Sequence, residues 1–314
     1  MPRLPDCYNF YLNRLGPTPL VPIRLAEDEP AIWCKLEFLN PSGSTKDRIA
    51  RFILEKAWRE GRIGPGSMVI EASSGSTSIA MALACAQMGV RFLAVMPEGV
   101  SNERVLIIKG YGGEIRFTPK AGGILAAIAE TERLSLDLGA FLPRQFANPD
   151  NALAHRWGTA REILDQIPGG GVDAVVSGVG TGGTLVGLFH GFRDAGCLVI
   201  PVCVRPVDLM GGLSEAECCS FSTRIPGVVD SVSEIYREEA LPGLRVLQVR
   251  DVEAMETTRG LIRMGFPVGP SSGLNYRAAV EIARERGAAA SVVTVFPDRM
   301  ERYFTTELFD HYRS

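Results

Sequence analysis

The stretch Val172-Asp173-Ala174-Val175-Val176-Ser177-Gly178-Val179-Gly180-Thr181-Gly182-Gly183-Thr184 decides the fold. Its first part, Val172 to Val176, is mostly apolar and β-branched, as a buried strand requires, and Leu185-Val186-Gly187-Leu188 continues it as a helix. Between them, glycines let successive backbone N–H groups turn toward one centre, and the following helix N-terminus adds positive potential. The turn therefore suits a phosphate. It also satisfies G-x-G-x-x-G, which keeps an NAD-dependent oxidoreductase as a rival resting on this turn alone. The next strand, however, ends Val204-Arg205-Pro206 with no acid placed to bind a ribose.

Outward from this turn, strand-like runs alternate with helical patterns, which predicts an α/β architecture of parallel sheets covered by helices. Strands are expected at Ala31 to Glu37, Ser67 to Glu71, Arg91 to Met96, Glu114 to Phe117, Ala174 to Ser177, Leu198 to Val204, Leu244 to Val249 and Ser291 to Phe296. A helix after Lys46 places Ile49, Phe52, Ile53 and Ala57 on one face and should stop before Gly61. A chain of 314 residues has room for two such lobes, with a boundary near Pro143 to Asn151.

Composition narrows the class. The formal charge is −3, which argues against nucleic acid as a partner. The most apolar stretch, Ile79 to Met96, is interrupted by Gln87 and Arg91, so no membrane span is expected. The start, Met1 to Phe10, does not read as an export signal, and a cytosolic location is the default. Seven cysteines, Cys7, Cys34, Cys85, Cys197, Cys203, Cys218 and Cys219, form no C-x-x-C pair, so neither a disulfide framework nor a metal site is expected.

Two further turns carry chemistry. Glu71-Ala72-Ser73-Ser74-Gly75-Ser76-Thr77 leads into a helical run from Ser78 to Gln87. Its hydroxyls and amides suit a carboxylate; the plainer alternative is an N-cap made by Ser74 or Ser76. In Asn40-Pro41-Ser42-Gly43-Ser44-Thr45-Lys46-Asp47-Arg48, an N-cap at Ser44 puts Lys46 in the first helical turn. The positive end of the helix dipole there lowers the pKa of an ammonium. A neutral amine, a phosphate cradle and a carboxylate cradle together fit an amino-acid enzyme that uses pyridoxal 5′-phosphate, with the lysine forming the Schiff base.

With these motifs in place, the sequence resembles the cysteine synthase (O-acetylserine sulfhydrylase) and cystathionine β-synthase family of fold-type II pyridoxal-phosphate enzymes. The resemblance runs in order through Leu15 to Leu20, Lys35-Leu36-Glu37, Asn40 to Arg48, Ser73 to Thr77, Met96-Pro97, Gln145 to Pro149, Gly178 to Thr184, Gly269 to Gly273 and Pro297-Asp298. It implies a two-lobed, tryptophan synthase β-like fold. Residues 37–150 would form a smaller, mobile lobe, and residues 1–36 with 151–314 a larger cofactor-binding lobe. Lys46 would be the catalytic lysine holding the cofactor. Gly180, Thr181, Gly182, Gly183 and Thr184 would hold its phosphate, Ser271 its pyridine nitrogen, and Ser76 would lie beside its ring. Ser73, Ser74, Gly75 and Thr77, helped by Gln145, would take the substrate carboxylate. A plainer alternative makes Ser271 and Ser272 another helix cap before Leu274 to Arg284.

The resemblance also marks departures. The family usually has Asn where Ser76 stands. The stretch Ile225-Pro226-Gly227-Val228-Val229-Asp230 is similar to the shorter substrate loop of B-type sulfhydrylases but lacks their arginines, and Asp298-Arg299-Met300-Glu301-Arg302-Tyr303 replaces a stretch of Asp-Ser-Gly-Glu-Arg-Tyr. The activity implied is β-replacement on an O-acetylserine-like amino acid through an aminoacrylate, with sulfide or another small nucleophile adding, in a homodimer. Two alternatives stay open: a cysteine desulfhydrase-type β-lyase releasing sulfide, pyruvate and ammonia, and a non-catalytic binding protein on the same fold.

Overall fold

The computed structural model describes residues 4, 5, 8, 17–207, 224–228 and 232–312. Nine strands occur among them: β1 (Leu20–Ile23), β2 (Ile32–Lys35), β3 (Met68–Ala72), β4 (Arg91–Pro97), β5 (Glu114–Thr118), β6 (Ala174–Gly178), β7 (Ile200–Val207), β8 (Arg245–Arg250) and β9 (Val292–Val295). The principal helices, in chain order, are α1 (Lys46–Arg59), α2 (Ser76–Met88), α3 (Asn102–Gly110), α4 (Gly123–Leu138), α5 (Asp150–Ala154), α6 (Ala160–Gln166), α7 (Gly183–Asp194), α8 (Asp251–Arg263) and α9 (Pro270–Arg286). A π-helical turn at His155–Thr159 joins α5 to α6.

Six strands form one sheet in the order β1-β2-β9-β6-β7-β8, and three form a second, β3-β4-β5. All pairings are parallel except β1 with β2, which are antiparallel through Leu20↔Lys35 to Ile23↔Ile32. This is the α/β arrangement expected, and each anticipated strand exists within two or three residues of its expected ends. Strand β1 is the addition. Its Leu-Val-Pro-Ile run is short and carries a proline, which suits only the edge position it occupies.

Period-two alternation places each strand's side chains in two separate cores. In the large sheet, Ala174 and Val176 of β6 face α9 with Val202, Val204 and Val292, while Val175 faces α7 with Cys203, Val293 and Val295. In the small sheet, Val69, Phe92 and Ala94 pack on α2, while Ile70 and Val95 pack toward α4. Helix α2 is apolar almost all round because it is buried almost all round, from Thr77 to Cys85. Cys34, Cys85, Cys197 and Cys203 are free thiols, and Cys7, Cys218 and Cys219 lie outside the described residues. No helix among the described residues is long and apolar enough to cross a membrane.

An ionic network ties the start of α1 to the large sheet. Arg48 donates to Glu37 through Nε and Nη2 at 2.7 Å each, and to Glu162 at 2.6 and 2.8 Å. Thr18 donates to Glu37 at 2.6 Å, and buried Lys35 pairs with Glu162 at 2.7 Å. Burial alone would push the Glu37 carboxyl up, but the charge and hydrogen bonds of Arg48, with Thr18, override it and bring it to about 2. Because the folded value lies below the unfolded one, this stabilisation is complete above the ordinary carboxylate range and is lost as pH falls toward 2. Glu37→Gln should therefore cost about 3–5 kcal/mol at neutral pH by urea unfolding. The difference from the parent should shrink as the pH is lowered below 4.5; an equal cost at pH 3 and pH 7 would contradict this account.

Candidate active site

The two sheets present the carboxyl ends of β3, β6 and β9 to a shared cavity of about 320 Å³. In open α/β sheets this is where ligands collect. Of the residues assigned from the sequence, all but Gly75 and Gly183 line it.

Lys46 is the first residue of α1, with Thr45 at the N-cap and its backbone N–H 3.3 Å from Ser44 Oγ. Burial lowers its ammonium to about 8, partly offset by the negative charge of Asp298. Its Nζ has no hydrogen-bond partner among the described residues. The turn that carries it is fastened on both sides. The Asp47 carboxylate accepts from Ser42 N at 2.9 Å and Ser42 Oγ at 2.5 Å, and burial raises it to about 6. From the C-terminal side, Arg302 donates to the carbonyls of Ser42 and Gly43, and Thr45 N donates to Pro297 O at 2.8 Å. The substituted Arg299 also packs here: a Cβ on Gly43 would lie 2.7 Å from its Cδ.

The turn after β3 is capped, but not by Ser74 or Ser76. Ser73 Oγ accepts from the N–H groups of Gly75 at 2.8 Å and Ser78 at 3.2 Å, and Gly75 itself is the N-cap residue of α2. Ser74 is thereby left exposed and Ser76 turned elsewhere: Ser76 Oγ donates to Asp298 Oδ2 at 3.1 Å. Thr77 donates to Gln145 Oε1 at 2.6 Å, and Gln145 Nε2 donates to Ala72 O at 2.5 Å. The two residues expected to share a carboxylate are thus already bonded to each other. Beneath them, burial raises the Glu71 carboxyl to about 8.

The glycine turn after β6 opens α7, with Gly182 at the N-cap in a left-handed conformation, φ +78°. The first turn of any helix leaves N–H groups without intrahelical partners, and Thr184 and Leu185 of this turn line the cavity. Gly180 is a close approach: a Cβ would sit 2.3 Å from Gly227 O. Asn151 Nδ2 donates to Thr181 Oγ1 at 2.9 Å, Ser233 Oγ to Thr181 O at 2.6 Å, and Asn275 Oδ1 accepts from Gly178 N at 2.7 Å. Thr184 Oγ1 lies 3.3 Å from Nε2 of His155, a ring that burial keeps neutral with a value of about 3. Ser271 lines the cavity near the start of α9. Neither it nor Ser272 caps that helix, whose N-cap is Gly269 followed by Pro270; the fixed φ of Pro270 makes a serine cap unnecessary.

Sequence reasoning passed over Asn151, Ser233, Asn275, Arg104, Asp298 and Tyr303 as site residues. Asn151 follows directly on the Gln145 to Pro149 motif, so that signal was available. Arg104 and Tyr303 reach the cavity from α3 and a 3₁₀ turn at Met300–Tyr303, which no local pattern announces. Of the Ile225 to Asp230 loop, Pro226, Gly227 and Val228 line the cavity, and Val229 and Asp230 lie outside the described residues.

Pyridoxal phosphate fits these residues. The Gly180 to Thr184 turn is a cradle that a Cβ at Gly180 would fill, Lys46 offers an unpartnered amine, and Thr45 Oγ1 and Asp298 Oδ1 are buried polar atoms without partners at the cavity. Comparison with known proteins agrees. The family model described as pyridoxal-phosphate dependent enzyme matches residues 11–298. The chain is 37% identical over 304 residues to a cysteine synthase of Staphylococcus aureus (strain N315), covering 94% of this chain and 95% of the relative. The structure of O-ureido-L-serine synthase superposes with a TM-score of 0.85 at 33% identity, covering 95% of this chain and 94% of the other. A hydrogen sulfide-producing enzyme from Fusobacterium nucleatum superposes with a TM-score of 0.85 at 31% identity, over 96% and 91% of the two chains.

The lowered Lys46 amine predicts its reactivity. Its neutral fraction, and so its rate of acylation by a small N-hydroxysuccinimide ester followed by mass spectrometry of the peptide, should reach half its maximum near pH 8. Half-maximum above pH 10, as for a solvated lysine, would show that the cavity does not desolvate it.

Proposed function

The chain belongs to the pyridoxal-phosphate dependent enzymes, of fold-type II, and on that premise we propose that it carries out β-replacement on a β-substituted L-amino acid of the O-acetylserine type, adding sulfide or another small nucleophile. The observation that carries the proposal is Lys46: an unpartnered, desolvated amine facing one cavity together with a glycine-amide cradle and a hydroxyl-rich turn. The names of the cysteine synthase and the O-ureido-L-serine synthase it resembles support the same chemistry.

When bound, the cofactor supplies an electron sink for the bond broken at the substrate Cα. The remaining work falls to side chains. The amides and hydroxyls of Gly180, Thr181, Gly182, Gly183 and Thr184 hold the cofactor phosphate at the start of α7, and Ser271 meets the pyridine nitrogen. A serine is neutral and does not keep that nitrogen protonated, which suits elimination over long-lived carbanions. Ser73, Ser74, Gly75 and Thr77 orient the substrate carboxylate at the start of α2, with Gln145 fixing Thr77. Lys46 Nζ, neutral in part near pH 8, takes the Cα proton. We assign residues 37–150 to a smaller lobe that closes over this site and residues 1–36 with 151–314 to a larger one. The assembly we propose is a cytosolic homodimer, for which resemblance is the support.

The second reading is a β-lyase acting on cysteine, favoured by the likeness to a hydrogen sulfide-producing enzyme. Protein loaded with pyridoxal phosphate and reduced with borohydride should carry the cofactor mass on the Lys46 peptide, and Lys46→Ala should abolish that mass and lower turnover at least a thousandfold. Protein that takes up no cofactor would leave a binding protein on this fold. Supplied with cysteine alone, the enzyme should release little pyruvate compared with its turnover of O-acetylserine plus sulfide; steady pyruvate release would transfer the assignment to the lyase.

A further inference from the structure

Arg104 lines the cavity and is 7% exposed; its side chain has no hydrogen-bond or ion-pair partner among the described residues, and its Nε is fully buried. Its guanidinium lies 5.0 Å above the Tyr303 ring, and its stem covers the turn after β3 so closely that a Cβ on Gly75 would fall 2.2 Å from its Cδ. Contact with the ring offsets only a small part of what it costs to bury a charge without a counterion. The other charged groups at the cavity do not supply a counterion. Asp298 Oδ2 is engaged by Ser76 and by the Tyr303 hydroxyl at 2.8 Å, and the Asp298 charge acts on Lys46. Glu98 and Lys120 also line the cavity but are exposed.

Of the charged side chains that line the cavity, Arg104 and Asp298 are the buried ones, and Asp298 is already engaged by Ser76 and Tyr303. The packing neighbours of Arg104, Gly75 and Tyr303, are not part of the Gly178 to Thr184 cradle, so the cofactor phosphate has its own donors elsewhere. Resting on the β-replacement reading, we propose that Arg104 forms a second anion subsite in the same cavity, one that recognises a negatively charged group carried by what leaves or arrives at the substrate Cβ. The occupant is a small oxyanion, a carboxylate or phosphate attached to the β-substituent or to the nucleophile. The subsite sets specificity: a charged group is drawn into the cavity over a neutral one of similar size.

The test uses enzyme loaded with pyridoxal phosphate, so that the glycine cradle is filled. Inorganic phosphate titrated by calorimetry should saturate the parent protein. It should bind at least tenfold more weakly to Arg104→Met, which keeps the apolar stem without the charge, and within about threefold of the parent to Arg104→Lys. Two kinetic pairs locate the charge: O-phosphoserine against O-acetylserine for the leaving group, and thioglycolate against 2-mercaptoethanol for the nucleophile. In Arg104→Met the charged member of one pair should lose at least tenfold in kcat/KM relative to its neutral partner, and Arg104→Lys should restore it. Phosphate binding equal in parent and Arg104→Met, or absent from the parent, would overturn the subsite, as would a loss that is the same for charged and neutral partners. Absence of cofactor uptake is a separate failure that counts against the enzyme reading itself.

Discussion

The site depends on where three consecutive side chains, Lys46, Asp47 and Arg48, find their partners. Arg48 takes both Glu37 and Glu162, and Asp47 closes on Ser42 within its own turn. Lys46 is then left with cavity on one side and only the more distant field of Asp298 on the other. A first-turn lysine is disfavoured by the helix dipole as well as by desolvation, so α1 would not tolerate it without strong anchoring nearby. The Arg48 fork supplies that anchoring.

The topology explains why the other groups meet there. Parallel strands in each sheet send their carboxyl ends the same way, and three of these ends meet at the cavity. The Ser73 turn is the end of β3, the Gly180 turn the end of β6, and the Pro297–Asp298 turn follows β9. Two of these turns deliver helix N-termini, from α2 and α7, to one cavity. Antiparallel β1 joins the edge of the large sheet and carries Leu20 next to Thr18, whose hydroxyl completes the Glu37 network.

The sequence made visible whatever rests on local pattern. The strands of both sheets follow from β-branched runs, and the glycine turn is legible because close approach of backbone admits no side chain at Gly180. Lys46 is legible because Ser44 and Thr45 mark a helix start. Contacts made across the fold are not legible in this way. That Ser73 rather than Ser74 or Ser76 caps the turn depends on which hydroxyl points back along the chain, and Asp298, more than two hundred residues away, decides the fate of Ser76. Arg104 is a similar case: on α3 it reads as one more charged residue, and it packs between the turn at Gly75 and Tyr303 at the far end of the chain.

Ser76 shows how such a contact can compensate for a departure. The resemblance leads one to expect an asparagine there, with an amide able both to donate and to accept beside the cofactor ring. A serine is shorter and brings one proton, and that proton is given to Asp298. Asp298 in turn is held by the Tyr303 hydroxyl and leaves Oδ1 buried without a partner at the cavity. The hydroxyl of Ser76 on α2 is thus tied to a carboxylate on the turn after β9. That carboxylate brings a full negative charge to the cavity, which favours a protonated Lys46 and opposes the desolvation that lowers its pKa.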